Sequence, residues 1–189
     1  MKRQILFIQG AGKGAYKEDQ KLANSLRNLL GDLYEVRYPE MPNEMDPDYG
    51  KWVSQIKKEL SALNDTPVLV GHSIGGSILL KFLAETKLKT GVAAIFVVAA
   101  PFWGGDGGWT YDGYETLALP KESDSVFPDN VPVFLYHSND DEVVPFEHLA
   151  LYGKKFPLAT VRVLEGRGHQ LNSDLSEVAD DLKALQQYN

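Results

Sequence analysis

The chain has 189 residues, 43% hydrophobic and 24% charged, a composition that excludes disordered, collagen-like and coiled-coil architectures. Lys and Arg number 19 against 26 Asp and Glu, and at a net charge of −7 with scattered basic residues neither nucleic acid nor an anionic membrane surface is an expected partner. The absence of cysteine removes disulfides, thiolate metal sites and a Cys nucleophile together.

The length predicts one domain over residues 1–189. The apolar run Ile5–Ile8 is too short for a signal peptide, and no stretch reaches membrane-spanning length, so the expectation is a soluble cytoplasmic protein. That same run predicts a first strand, ending at Gly10. Leu22, Leu26, Leu29 and Leu30 recur at helical spacing within a helix over 17–30, which Gly31 stops. A strand over 34–38 is cut by Pro39, and a Pro-rich loop runs to Pro47. Trp52, Val53, Ile56, Leu60 and Leu63 mark a helix over 49–63. Val68–Val70 is a third strand, a helix follows over 78–85, and Val92–Ala99 is a fourth. Residues 131–136 form a fifth strand, 146–156 a helix, 160–164 a sixth strand and 175–188 a closing helix. Apolar runs without alternation, interleaved with helices, indicate a parallel sheet covered on both faces, a three-layer α/β/α sandwich.

Gly71-His72-Ser73-Ile74-Gly75 fits G-x-S-x-G, and it stands between a strand and a helix as a nucleophile elbow requires. The turn strains the Ser backbone and needs small neighbours, and it sets the hydroxyl at a helix N-terminus that favours developing negative charge. A nucleophilic serine needs a base, and the base an orienting acid. Of four histidines, His72 lies inside the elbow with its side chain expected to point away from Ser73, His137 precedes the acidic candidates, and His148 sits on a predicted helix. His169, in Gly166-Arg167-Gly168-His169 after the last strand, is the expected base. Asp140-Asp141-Glu142-Val143-Val144-Pro145 follows the fifth strand and favours Asp141 as the acid, with Asp140 the close competitor and Asp106 a lesser one. The oxyanion amides are expected from Ile74 and from Ala11 in the loop after the first strand.

With these residues in view, the chain resembles a small, minimal α/β-hydrolase over nearly its full length. The carriers are Gly10-Ala11-Gly12, the elbow at Ser73, Asp141 with Val144-Pro145, and Gly168-His169. The run from Met41-Pro42 to Trp52 and the sequence His169-Gln170-Leu171-Asn172 further resemble the retinoblastoma-binding-protein-9-like serine hydrolases. The resemblance implies a six-stranded parallel sheet in the order 2-1-3-4-5-6, and a triad at Ser73, Asp141 and His169. Gln9-Gly10 departs from the His-Gly that many α/β-hydrolases carry after the first strand, which bears on how that loop is held.

The expected activity is cleavage of a small carboxylic ester or related acyl compound, with no cofactor and no metal. A catalytically silent hydrolase-fold protein that binds other proteins is the alternative. Gly10-Ala11-Gly12-Lys13-Gly14 invites a dinucleotide reading, but its glycine spacing fits neither the dinucleotide fingerprint nor a P-loop. Residues 101–130 are irregular and rich in Gly and aromatics; they are expected to form a cap, with Phe102, Trp103 and Trp109 lining a substrate pocket. The competing reading is that these rings, with Tyr111 and Tyr114, pack on one another to tie the loop down. The sequence leaves the acyl group and the oligomeric state open.

Overall fold

The computed structural model describes residues 2–63, 66–88, 91–105, 107–121, 125–127 and 130–185. Six parallel strands form one sheet in the order β2-β1-β3-β4-β5-β6, as the resemblance implies. They are β1 (Arg3–Ile8), β2 (Tyr34–Arg37), β3 (Val68–His72), β4 (Ala94–Val98), β5 (Val133–Ser138) and β6 (Thr160–Leu164). The helices are α1 (Ala15–Leu30), α2 (Tyr49–Ser61), α3 (Ile74–Glu85), α4 (Glu147–Lys155) and α5 (Ser176–Ala184). Among the described residues, no helix is long and apolar enough to cross a membrane.

Alternate residues of each strand point to opposite faces and so divide the core in two. Ile5, Phe7, Val68, Val70, Phe96 and Tyr136 face α1 and α5, packing with Leu22, Leu26, Val178 and Leu182. Leu6, Ile8, Leu69, Ile95, Val97 and Leu135 face the other way, against Trp52 and Ile56 of α2, Ile78 and Phe82 of α3, and Leu149 and Tyr152 of α4. Both faces of β3, β4 and β5 are buried, which explains their unbroken apolar sequences. The edge strand β6 leaves Val161 and Val163 exposed.

The start of α3 differs from the sequence expectation. The helix begins at Ile74, immediately after the elbow, four residues before the expected position. Gly75 and Gly76 weaken the local helical signal, but both are fully packed inside the first turn. A Cβ on Gly76 would lie 3.0 Å from the Ala100 side chain, and a Cβ on Gly75 would collide with the Gln9 carbonyl oxygen. Tertiary packing, not propensity, sets this boundary.

Because every strand is parallel, the segments leaving β1, β3, β4, β5 and β6 all emerge at one edge. Ser138 of β5 pairs with Leu164 of β6, so the loops after these strands start side by side. The Phe96 ring is fully buried and stacks on Phe134 at 4.5 Å. Phe96→Ala is expected to cost about 3–5 kcal/mol and to lower Tm by roughly 6–20 °C. Leu158→Ala, at a side chain 98% exposed, should stay within about 0.5 kcal/mol. Thermal melts of the two variants beside the parent check both.

Candidate active site

Ser73 follows β3 with φ 52 and ψ −131, a conformation that costs a non-glycine residue energy and survives where packing imposes it. The chain has to reverse from strand to helix within one residue, and the Ser73 amide donates to Val98 O at 2.8 Å to hold that turn against β4. Gly10 lies alongside: a Cβ placed there would be 3.1 Å from Ser73 Cβ. Ile74 opens α3, and its amide has no partner within the helix. Neither the Ala11 nor the Ile74 amide donates to an acceptor among the described residues.

His169 and Asp141 meet as expected. His169 Nδ1 lies 2.9 Å from Asp141 Oδ2 and 3.1 Å from Oδ1, and the Asp141 side chain is fully buried. The imidazole centroid lies 4.8 Å from that of His72, the residue before Ser73. Burial by itself would raise the Asp141 carboxyl, but hydrogen bonds from His137 and His169, the His169 charge and the Val144 amide overcome it and hold the group well below the usual carboxylate range. Burial pushes His169 below its ordinary 6.5, and the nearby His72 charge pushes the same way; Asp141 opposes both without cancelling them. A neutral ring with its Nδ1 proton on a carboxylate leaves Nε2 free to accept a proton.

The three consecutive acids have separate tasks. Asp140 Oδ1 accepts the Arg167 and Gly168 amides at 3.1 and 3.0 Å, together with the Ser138 hydroxyl. Glu142 Oε2 accepts the His169 amide at 3.1 Å. Asp141 alone faces the His169 ring, and its Oδ1 also accepts the Val143 and Val144 amides at 2.8 Å. Asp141 contacts the His169 ring and Asp140 the Arg167 and Gly168 amides, while Asp106 lies outside the described residues. His137 has a role the sequence reading did not assign. Its Nε2 sits 3.0 Å from both Asp141 Oδ2 and Val144 O, so it shares with His169 the Oδ2 oxygen of the acid. Its place near the end of β5, just before the acidic turn, was the available signal.

The loop after β1 is held from beneath. Gln9 Oε1 accepts the Met41 amide at 2.9 Å, and its Nε2 donates to Glu44 and to Gly10 O. Glu44 accepts the Gly14 and Tyr16 amides at 2.8 and 2.7 Å, and its carbonyl accepts Gly12 N at 2.7 Å. A carboxylate therefore already occupies the α1 N-terminus where a nucleotide phosphate would have to sit, which argues against the dinucleotide reading. Among the described residues, no group of three or more His, Asp or Glu is arranged to hold a metal ion.

In the cap, Trp103 stacks on Tyr114 at 5.4 Å and meets Trp109 edge-on at 5.5 Å; Trp109 in turn meets Tyr111 and His148. His148 Nδ1 accepts the Phe102 amide at 2.9 Å and pins the cap to α4. Mutual packing of the rings is therefore real, and Phe102 and Trp109 remain partly exposed.

A family model described as Serine hydrolase matches residues 24–182. The protein YdeN of Bacillus subtilis (strain 168) is 23% identical over 155 residues, covering 78% of this chain and 76% of its own length. The crystal structure of the ydeN gene product superimposes with a TM-score of 0.74 at 20% identity, over 98% of this chain and 99% of the other. Est1E from Butyrivibrio proteoclasticus gives 0.70 at 17% identity, over 99% and 88%. At these identities the two structures establish the fold: this is an α/β-hydrolase sheet with its flanking helices.

Gly75→Ala tests the elbow's steric limit. Forcing a methyl against the Gln9 carbonyl is expected to cost about 1–3 kcal/mol or more, lowering Tm by roughly 2–12 °C. An unchanged melting curve would contradict the close approach of α3 to β1.

Proposed function

Since the chain belongs to the serine hydrolase family, we propose that it cleaves a small carboxylic ester through Ser73, His169 and Asp141 by way of an acyl-enzyme. One observation carries the reading: His169 pairs with Asp141 at 2.9 Å, and its ring lies 4.8 Å from that of His72, the residue before Ser73. Ser73 Oγ attacks the acyl carbon and His169 Nε2 takes its proton. Asp141 keeps the other ring proton on Nδ1 and stabilises the imidazolium that forms. The Ala11 and Ile74 amides receive the oxyanion. His169 then protonates the departing alcohol, and water activated by the same nitrogen releases the acid. No step draws on a cofactor.

The resemblance to retinoblastoma-binding-protein-9-like hydrolases supports the same three residues. The esterase domain of a Rhodothermus marinus protein has a similar fold, which is compatible with the ester reading. Phe102, Trp103 and Trp109 are proposed to line the acyl pocket. The Trp103 indole N–H is buried without an acceptor among the described residues, and an oxygen of the substrate would satisfy it.

Ser73→Ala is expected to reduce kcat on p-nitrophenyl butyrate by about 10³-fold or more, and Asp141→Asn by roughly 10²–10⁴-fold. Wild-type turnover in the Ser73 variant would remove the proposal. The pH profile gives a second check. His169 must be neutral to act as base, so activity is lost as pH falls through its pKa. That pKa lies below the ordinary 6.5, so the acidic limb of kcat/KM should have its midpoint below 6.5. A midpoint above that value would contradict the assignment.

A further inference from the structure

A second carboxylate–imidazole pair lies behind the candidate site. Asp19, in the second turn of α1, and His72, the last residue of β3, are both buried. Asp19 Oδ2 accepts the Gly10 amide at 2.6 Å and faces His72 Nδ1 at 2.8 Å. The opposite nitrogen, His72 Nε2, faces the His169 carbonyl oxygen at 3.1 Å. An oxygen acceptor stands at each ring nitrogen, an arrangement that favours the doubly protonated imidazolium with Asp19 as its counter-ion. Burial disfavours charge on both groups, yet their mutual attraction and hydrogen bonds prevail, raising His72 and lowering Asp19 from their ordinary values.

A buried ion pair is a poor source of net stability, because taking two charges out of water offsets most of their attraction. What this pair contributes is connection. It bonds the residue before Ala11, contains the residue before Ser73 and bonds the backbone of His169. These three positions come from loops after β1, β3 and β6, and among the described residues no other side-chain pair touches all three.

We propose that Asp19 and His72 are positioning residues that lock the glycine loop, the elbow and the His169 loop to one buried point and set a fixed positive charge beside the base. The proposal rests on the serine-hydrolase reading of Ser73 and His169. The charged groups that face His169 are Asp141 and Glu142 from the loop after β5, His72 from β3 and Asp19 from α1. Among these the His72 cation opposes protonation of His169, while Asp141 and Asp19 favour it.

The test compares Asp19→Asn and His72→Gln with the parent on p-nitrophenyl butyrate across pH, beside thermal melts and fluorophosphonate labelling. Misplacing reacting groups acts on kcat more than on substrate affinity, so kcat is expected to fall about 10–100-fold while KM changes by less than about threefold. In His72→Gln the cation is gone and Asp19 is left negative, so His169 binds its proton more tightly and the acidic limb moves to higher pH. A merely structural role would not move that limb in a variant that still folds. Parent-like kcat and an unmoved limb in both variants overturn the proposal. No Ser73-dependent turnover or labelling in the parent overturns the hydrolase reading, and this inference with it. If the variants do not fold, nitrogen-15 NMR of the His72 ring in the parent decides: protons on both ring nitrogens at pH 7.5 uphold the clamp, and a neutral ring overturns it.

Discussion

Backbone amides in the loops at the carboxyl edge of the sheet have left the ladder bonds of the strands, and each needs another acceptor. For several of them carboxylates supply it. Asp19 takes Gly10, Glu44 takes Gly14 and Tyr16, Asp140 takes Arg167 and Gly168, Asp141 takes Val143 and Val144, and Glu142 takes His169. Charge-assisted bonds of this kind are stronger than neutral ones. They let loops that are irregular by sequence hold side chains in fixed places, which is what a site built across several strand ends requires. Part of the acidic excess is thus working structure rather than solvated surface.

The Asp19–His72 and Asp141–His169 pairs show how environment divides identical chemistry. His72 has an acceptor at each nitrogen and is driven towards the charged form. His169 has one carboxylate, substantial burial and a cation beside it, and is driven towards the neutral form. The first arrangement suits a fixed structural charge and the second a group that must accept a proton and give it up again. Both acids stay ionised because hydrogen bonds to the charged form outweigh the loss of solvent.

The cap follows a different logic. Its described residues combine stacked and edge-on rings with polar ties, among them Phe102 to His148, Tyr114 to Asp46, and Ser77 and Tyr152 to the Pro101 carbonyl. Such packing allows a Gly-rich segment to keep a shape without belonging to the sheet, and places aromatic surface next to the loop that leaves β4.

Local pattern sufficed for much of this molecule. Unalternated apolar runs separated by helical periodicities determined a covered parallel sheet, since side chains buried on both faces must all be apolar. The G-x-S-x-G context marked the turn at Ser73, because only small neighbours permit it, and the order of acid and histidine behind it made Asp141 and His169 the candidates. The first turn of α3 was hidden by Gly75 and Gly76, whose poor propensity is overridden by contact with β1 and β4. The choice of Asp141 over Asp140 depended on which carboxylate turned inward, and adjacent residues in a turn differ in direction, not in composition. Glu44 and the Asp19–His72 pair were invisible because their partners lie 28 to 30 and 53 residues away. Sequence alone therefore determined what had to be buried and what had to bend; the folded chain decided which charges meet, because hydrogen bonding depends on angle and distance across loops that no local pattern encodes.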